Sequence, residues 1–508
     1  MALAFCAVSA WIKRLLFRHI FDVSWSLSPM SPYRRTRIVA TVGPASRELA
    51  MLQSLLEAGV NMVRLNMSHG THDQHREVIT RVREISGRLG RHVAILGDLC
   101  GPKIRVGHFA EGGIHLVAGQ VVTVTTRDMP GCEGLIPSQY AALSGDVRPG
   151  NRILLDDGLM ELRVDRVEST EVTCTVIHGG KLRDKKGMNL PGVALSTPAL
   201  TQRDRLDARF LLAEGVDWLA LSFVRRPSDI ADLRKEIQAA GQSIPIIAKI
   251  EKPEAVDALD GILEACDGVM VARGDLGVEM PLEAVPIIQA DLVERARHAA
   301  KPVIVATQML ESMVTQPRPT RAETSDVSTA VMSGADAVML SAETATGAFP
   351  LETVRTMDRI CRRVEAWQSL ETHFKQSDRE HLPGEDARES NNALRLRRAV
   401  SKSTAQLCQD LGVRAVVVRS NGGTSAAQVS SNRPNAPIIA LTTDPRVARR
   451  MNLLWGVIPR VISAEEFDRP KATARQHADA MGLVEPGQHL LLLSGLGKQE
   501  PSLTTLLM

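Results

Sequence analysis

Gly268-Val269-Met270-Val271-Ala272-Arg273-Gly274-Asp275-Leu276-Gly277 opens as a strand-length apolar run and closes on a charged, glycine-bearing cluster. Six other segments are likewise strand-length apolar runs that end in a polar or charged cluster. They are MVRLNMSHG (62–70), VAILGDL (93–99), WLALSFVR (218–225), IIAKIEKP (246–253), VIVATQ (303–308) and AVMLSAET (337–344). An earlier one, IVATVGP (38–44), ends in Gly-Pro instead. Unbroken Val, Ile and Leu runs of this length suit parallel strands buried on both faces. Helical stretches lie between them: 50–58, 72–89 with Gly90 as a stop, and 281–299 before Lys301-Pro302. Strand then helix, repeated, is the βα unit. Eight such units with their polar clusters at the strand C-termini predict an α/β chain built on a closed (β/α)8 TIM barrel, with its chemistry on the C-terminal face.

The rhythm breaks between 102 and 198. Alternating segments (GGIHLVAG, VVTVTT, NRILLDDGLMELRVDRV, EVTCTVIHGG) replace helices there. They predict a small all-β, barrel-like domain inserted after the third strand, standing on the catalytic face as a lid. The catalytic barrel is therefore expected over 31–101 and 199–370. A polar run, KQSDREHLPGEDARESNN, makes 371–392 a linker or solvated loop. Strands and helices alternate again over 393–508, as in a second α/β domain with an open sheet, expected to be regulatory.

The 508-residue length fits about three domains. Lys and Arg number 61 against 58 Asp and Glu, a balance of +3 that gives no reason to expect nucleic acid. The seven cysteines show no CxxC pair, which argues for a reducing, cytoplasmic home and against zinc or a disulfide framework. Residues 1–30 begin with a brief apolar run followed at once by Lys13, Arg14 and Arg18. That is too short to span a bilayer and has its charges on the wrong side for a signal peptide. A dispensable arm, with Met30 as an alternative start, or a membrane-surface helix are the two readings.

The strand ends supply Arg64, Asp98, Lys249, Glu251, Asp275, Thr307 and Glu343. Lys249 and Glu251 are two apart and share a side. Glu251 and Asp275 end adjacent strands and can nest a hard divalent cation, Mg2+ or Mn2+, with room for substrate oxygens. The competing reading salt-bridges these acids to Lys249 and Arg273. Backbone N–H groups of Ala272-Arg273-Gly274 suit a small carboxylate. Arg64, Arg105 and Lys249 carry the positive charge that a phosphoryl group needs. Asn66, Ser68 and His69 gather donors in one turn, though His69 can equally be a solvated or capping residue. Thr307 can relay a proton or simply satisfy the backbone.

The motifs RLNMSHG, GDLCGPKIRVG, LSFVR, AKIEKPEAV, VMVARGDLGVE, VIVATQMLESM, PTRAETSDV and AVMLSAETATGAFPLE, in this order, resemble those of pyruvate kinase from about Thr36 to the C-terminus. The resemblance implies phosphoryl transfer from phosphoenolpyruvate to ADP, giving pyruvate and ATP, the last step of glycolysis. It implies phosphate handling by Arg64, Arg105 and Lys249. It makes Glu251 and Asp275 metal ligands, and Ala272, Arg273 and Gly274 the carboxylate-binding backbone. Thr307, Ser341 and Glu343 would support protonation of the enolate. Asn66, His69 and Lys186 would contact nucleotide. A homotetramer is implied as well.

Positions matching the family's monovalent-cation ligands are Asn66, Ser68, Asp98 and Leu99. The family's Gly-Pro-Glu-Ile-Arg motif reads Gly-Pro-Lys-Ile-Arg here. Lys103, with Leu99, Cys100 and Val106, resembles the potassium-independent branch, so K+ is expected not to be required. Cys100 is expected to be a buried small residue. The loop Ser420-Asn421-Gly422-Gly423-Thr424-Ser425 resembles the family's effector loop and would cradle a phosphorylated allosteric effector; a ligand-free tight turn is the alternative. The atypical Lys498-Gln499-Glu500-Pro501 leaves that effector's identity open. Two rival functions are another enolate-handling barrel, which would not need Lys186 or the lid, and a silent scaffold, which would have lost Glu251, Asp275 or Lys249.

Overall fold

The computed structural model describes residues 33–370, 392–494 and 504–508. The extension at 1–30, all but the last residue of the expected 371–392 linker, and the Lys498–Pro501 stretch lie outside the described residues. All eight apolar runs are parallel strands: Arg37–Thr41, Met62–Asn66, Ala94–Asp98, Trp218–Leu221, Ile246–Ile250, Gly268–Ala272, Val303–Ala306 and Ala337–Leu340. They close into a barrel, the first pairing with both the second and the eighth.

Period-two alternation divides each strand between two cores. Val269 and Val271 face outward to the helices, while Met270 faces the lumen. Ile246, Ala248 and Ile250 likewise face out and Ile247 faces in. Lys249 therefore emerges inside the barrel mouth. The same parity puts Arg64 and Asn66 above Met62, Asp98 above Leu96, and Ser222 above Ala220. Outward Gly97 has a packing reason: a Cβ there would sit 2.5 Å from Leu211 Cδ1 on the covering helix.

Three covering helices begin with capping boxes that the sequence spells out: Thr71/Gln74, Thr201/Asp204 and Thr320/Glu323. The stretch expected as one helix over 281–299 is a short 3₁₀ turn, Leu282–Ala284, followed by Val285–His298. Pro286 occupies the first turn of the α-helical part, where its missing N–H costs nothing.

Between the third and fourth barrel strands lie a six-stranded sheet and a two-stranded ribbon, joined by one apolar core. NRILLDDGLMELRVDRV is two strands, Arg152–Leu155 and Met160–Val167, turned by Asp156 and Asp157 at positive φ. The segment around Arg105 links the sheet's two ends. Arg105 bridges Gly187 beside one edge strand, and Val106 bridges Ser138 beside the other. This linkage holds Arg105 in place.

The C-terminal sheet has the order Val457–Val461, Ile438–Thr442, Ala415–Arg419, Leu490–Ser494, Thr504–Leu507, with only the last strand antiparallel. This domain docks under the barrel. Leu453 is fully buried among the lumen residues, and Arg433 forms a buried ion pair with Asp336, 3.0 Å apart, just before the eighth strand. Among the described residues no helix is long and apolar enough to cross a membrane.

Candidate active site

The lumen-facing strand ends meet at a buried cluster centred on Lys249. Its Nζ donates to Ser222 Oγ at 2.7 Å and lies 2.9 Å from Glu251 Oε1. It is also 3.4 Å from Asp98 Oδ1, a charge contact that lacks hydrogen-bond geometry. Ser222 Oγ in turn donates to the Leu99 carbonyl at 2.6 Å. Arg64 Nε donates to the other Asp98 oxygen at 2.6 Å, and its Nη1 donates to Thr41 Oγ1 at 3.0 Å. Asp98 thus sits between the two cations.

The charge states follow from this packing. Burial alone would discharge the Lys249 ammonium, but Asp98 and Glu251 outweigh it and hold the pKa above that of a free lysine. Burial pushes the Asp98 carboxyl up, yet Lys249 and Arg64 win and keep it below the ordinary range. Glu251 goes the other way: burial, reinforced by the nearby Asp275 charge, raises it despite Lys249 and the Phe223 N–H, which donates to Oε2 at 2.6 Å. The Glu251 and Asp275 carboxylates thus lie near enough for the charge of one to oppose ionisation of the other. That donor set fits a hard divalent cation, which would relieve the repulsion.

Asp98 gives a stability prediction. A carboxyl whose pKa is depressed by folding stabilises above its unfolded value, near pH 4, and loses that contribution as pH falls through its folded value. Asp98→Asn should therefore flatten the acid limb of the stability curve and cost about 3–5 kcal/mol at neutral pH, by leaving two buried cations short of a partner. Urea unfolding from pH 7 down to about pH 2, through the window below the unfolded carboxyl value, measures both. An unchanged acid limb would show that Asp98 is not the balancing charge.

Glu251 and Asp275 follow adjacent, directly paired strands, Asp275 in the first turn of the helix Arg273–Glu279. Arg273, on the helix Arg273–Glu279, points away from them. It pairs with Asp326 at 2.5 Å and donates to the Thr307 carbonyl at 2.7 Å. The alternative salt-bridge pattern is therefore half present: Glu251 pairs with Lys249, but Arg273 is engaged elsewhere. The Gly274 N–H donates to Thr307 Oγ1 at 2.8 Å, which ties the carboxylate-binding candidates Ala272, Arg273 and Gly274 to the seventh strand end. Thr307 and Gln308 have φ of 69° and 53°, unusual for residues with side chains, especially a β-branched threonine. Glu343 is fully buried and accepts the Ser341 N–H at 2.6 Å and the Leu310 N–H at 3.2 Å. Ser341 Oγ is buried with no hydrogen-bond partner among the described residues.

A second group lies at the entrance. Asn66 Nδ2 is 3.3 Å from His69 Nδ1, and Asn66 Oδ1 accepts the Ser68 N–H. Partial burial lowers the His69 pKa, and the charges of Arg105, Lys103, Arg64 and Arg203 lower it further. The turn therefore faces a ring of cations. Lys103 itself is exposed. Lys186, in the inserted domain, is paired with Asp156 at 2.9 Å, and Arg105 Nη1 donates to the Lys185 carbonyl. Cys100 is half-buried rather than buried. The candidate effector loop is far along the chain: Ser420 Oγ accepts the Ala426 N–H at 3.3 Å, and Gly423, φ 87°, caps the helix Thr424–Ser431. It is not part of the Lys249 cluster.

Ser222 and Thr41 were not singled out from sequence. Ser222 had a signal, because it occupies the polar end of WLALSFVR as Lys249 and Asp98 do in their strands. Asp98 was expected among the strand-end residues and at a monovalent-cation position; the structure sets it between Lys249 and Arg64.

The fold and site define a class: a barrel of the enzyme type, with a buried cation–carboxylate constellation at its C-terminal mouth and an inserted domain above it. Family models agree on the kind. The pyruvate kinase barrel domain matches residues 33–354, and the pyruvate kinase alpha/beta domain matches 398–507. Pyruvate kinase 2 of Synechocystis is 46% identical over 84% of this chain and 71% of its own length. The pyruvate kinase of Geobacillus stearothermophilus is 43% identical over 93% and 80%. A crystal structure of a pyruvate kinase from Cryptosporidium parvum superposes with a TM-score of 0.82 at 33% identity, covering 93% of this chain and 96% of that one. The chain belongs to the pyruvate kinase family.

Proposed function

We propose that this protein transfers the phosphoryl group of phosphoenolpyruvate to ADP, giving pyruvate and ATP. The observation that carries the reading is the buried Lys249 ammonium held between Asp98 and Glu251, with Asp275 beside it. A permanently protonated lysine in a water-poor mouth is a preorganised positive charge for a transferring phosphoryl group. Arg64, oriented by Asp98 and Thr41, presents the second charge. Arg105, braced across the inserted sheet, presents the third from above.

Glu251 and Asp275 would hold Mg2+ or Mn2+. When bound, that ion supplies a Lewis acid for the enolate and phosphoryl oxygens. The N–H groups around Gly274 orient the substrate carboxylate. Thr307, whose hydroxyl already donates to the Ala306 carbonyl at 2.6 Å, stands where it can guide a proton to the enolate carbon. The unpartnered Ser341 Oγ, beside Glu343, extends that path. Asn66, His69 and Lys186 hold the nucleotide under the inserted domain, which keeps water from the phosphoryl group.

Lys103 takes the place of a monovalent cation. Its charge adds to burial and to Arg105 in lowering the His69 pKa, which supports a Lys103 ammonium near the Asn66–His69 turn. We further propose a cytoplasmic homotetramer, with Ser420–Ser425 as a phosphorylated-effector loop. The direct test is a lactate dehydrogenase-coupled assay of pyruvate formation. Turnover should require phosphoenolpyruvate, ADP and a divalent ion, and should change less than twofold between K+ and Na+ at equal ionic strength. No pyruvate with all components present would refute the reaction. Strong, specific activation by K+ would refute the role of Lys103 alone.

A further inference from the structure

Next to the Lys249 cluster lies a second buried ion pair that the proposed chemistry does not use. Lys252 Nζ lies 2.6 Å from Glu279 Oε1, and both side chains are buried. Lys252 directly follows Glu251. Glu279 closes the helix Arg273–Glu279, whose first turn carries Gly274 and Asp275. The pair therefore fastens the loop that bears one metal carboxylate to the helix that bears the other. A third member comes from the inserted domain: Asn189 Nδ2 donates to the same Glu279 oxygen at 3.4 Å. Asn189 belongs to the edge strand Met188–Asn189. Lys186 lies just before it, and Arg105 bridges Gly187 in between. The edge of the six-stranded sheet, next to the nucleotide-side cations, thus touches the metal-side helix through one amide. Glu279 Oε2 has no partner among the described residues, so this carboxylate is not fully committed to the pair.

We propose that Lys252 and Glu279 are positioning residues that fix the separation of Glu251 and Asp275, and that Asn189 couples this clamp to the inserted domain. The proposal rests on the reading of Glu251 and Asp275 as the metal ligands. A buried ion pair seldom adds much stability over an apolar pair of the same volume, so its geometry is the more informative property. Residues that orient metal ligands from behind typically change metal affinity by about 10–100-fold when removed.

The test is Mn2+ binding by the full-length enzyme, followed by electron paramagnetic resonance without substrates, beside steady-state kinetics. Lys252→Met leaves Glu279 buried and unpaired and can lose stability for that reason alone. The Lys252→Met/Glu279→Met double variant removes both charges together and keeps the volume. It should fold and bind Mn2+ about 10-fold more weakly than wild type. Lys252→Arg should restore most of the affinity. Asn189→Ala should keep Mn2+ affinity within about twofold and raise the KM for ADP several-fold, as expected of a contact that acts through the inserted domain. Glu251→Gln is the control for the underlying reading. If Glu251→Gln abolishes Mn2+ binding while the folded double variant binds as wild type, the clamp is wrong and the metal site stands. If Glu251→Gln binds Mn2+ normally, the metal site itself is wrong. Wild-type Mn2+ affinity and wild-type KM for ADP in Asn189→Ala would remove the coupling to the inserted domain.

Discussion

Replacing Lys249 by methionine should lower turnover by about 1000-fold while Mn2+ binding is kept. The magnitude follows from the loss of one preorganised charge in a water-excluded site, where a single donor is commonly worth about 10²–10³ in rate. The retained metal affinity is the sharper half of the prediction. In the resting site the ammonium occupies Glu251 Oε1 at 2.9 Å and competes for that oxygen. Methionine removes the competitor and leaves the Glu251–Asp275 pair more negative, so a divalent cation should bind at least as well as before. Asp98 keeps Arg64 as a partner, and Glu251 keeps the Phe223 N–H. The variant should therefore remain folded, although losing one member of a buried ion pair costs about 3–5 kcal/mol. Stopped assays for turnover, calorimetry with Mn2+ and a thermal melt read the three quantities. Turnover within tenfold of wild type would strip Lys249 of its role.

Glu251→Gln should have the opposite profile, with metal affinity falling by about 100-fold or more and turnover falling with it. Even partners behind a metal ligand cost about 10–100-fold when removed, and a ligand itself should cost no less. The amide keeps the shape of the side chain and can still accept the Phe223 N–H, so the loss should come from charge rather than from collapse of the strand end. Higher Mn2+ concentration should recover part of the rate in Glu251→Gln and none in Lys249→Met. That contrast separates a residue that holds the ion from one that acts beside it.

Much of this arrangement was legible in the sequence, for a physical reason. Parallel strands covered on both faces cannot afford polar residues until they reach the barrel mouth, so the change from Val and Ile to Lys, Glu and Asp marks where each strand ends. Period-two geometry then put Lys249 and Glu251 together, and the order of the strands put Asp275 beside them. The inserted domain announced itself by losing the helical period. What stayed hidden depends on distant pairing. Nothing in WLALSFVR says that Ser222 will take the Lys249 ammonium, because a serine at a strand end has many local uses. The central place of Asp98 needs three strands to be closed around it. Leu453, which plugs the lumen from beneath, reads as an ordinary helix-end leucine until the C-terminal domain docks. Arg433 and Asp336 lie 97 positions apart, and no local pattern pairs them. The Lys252–Glu279 contact was missed because AKIEKPEAV places Lys252 on the face opposite Lys249 and Glu251's shared one, where a charge looks merely solvated.

Anomalous diffraction from a crystal soaked in Mn2+ would test the central claim most directly. One strong peak should appear between the Glu251 and Asp275 carboxylates, on the side facing the Lys249 amine. Diverging carboxylates with no anomalous density between them, in a crystal that binds manganese elsewhere or not at all, would contradict it.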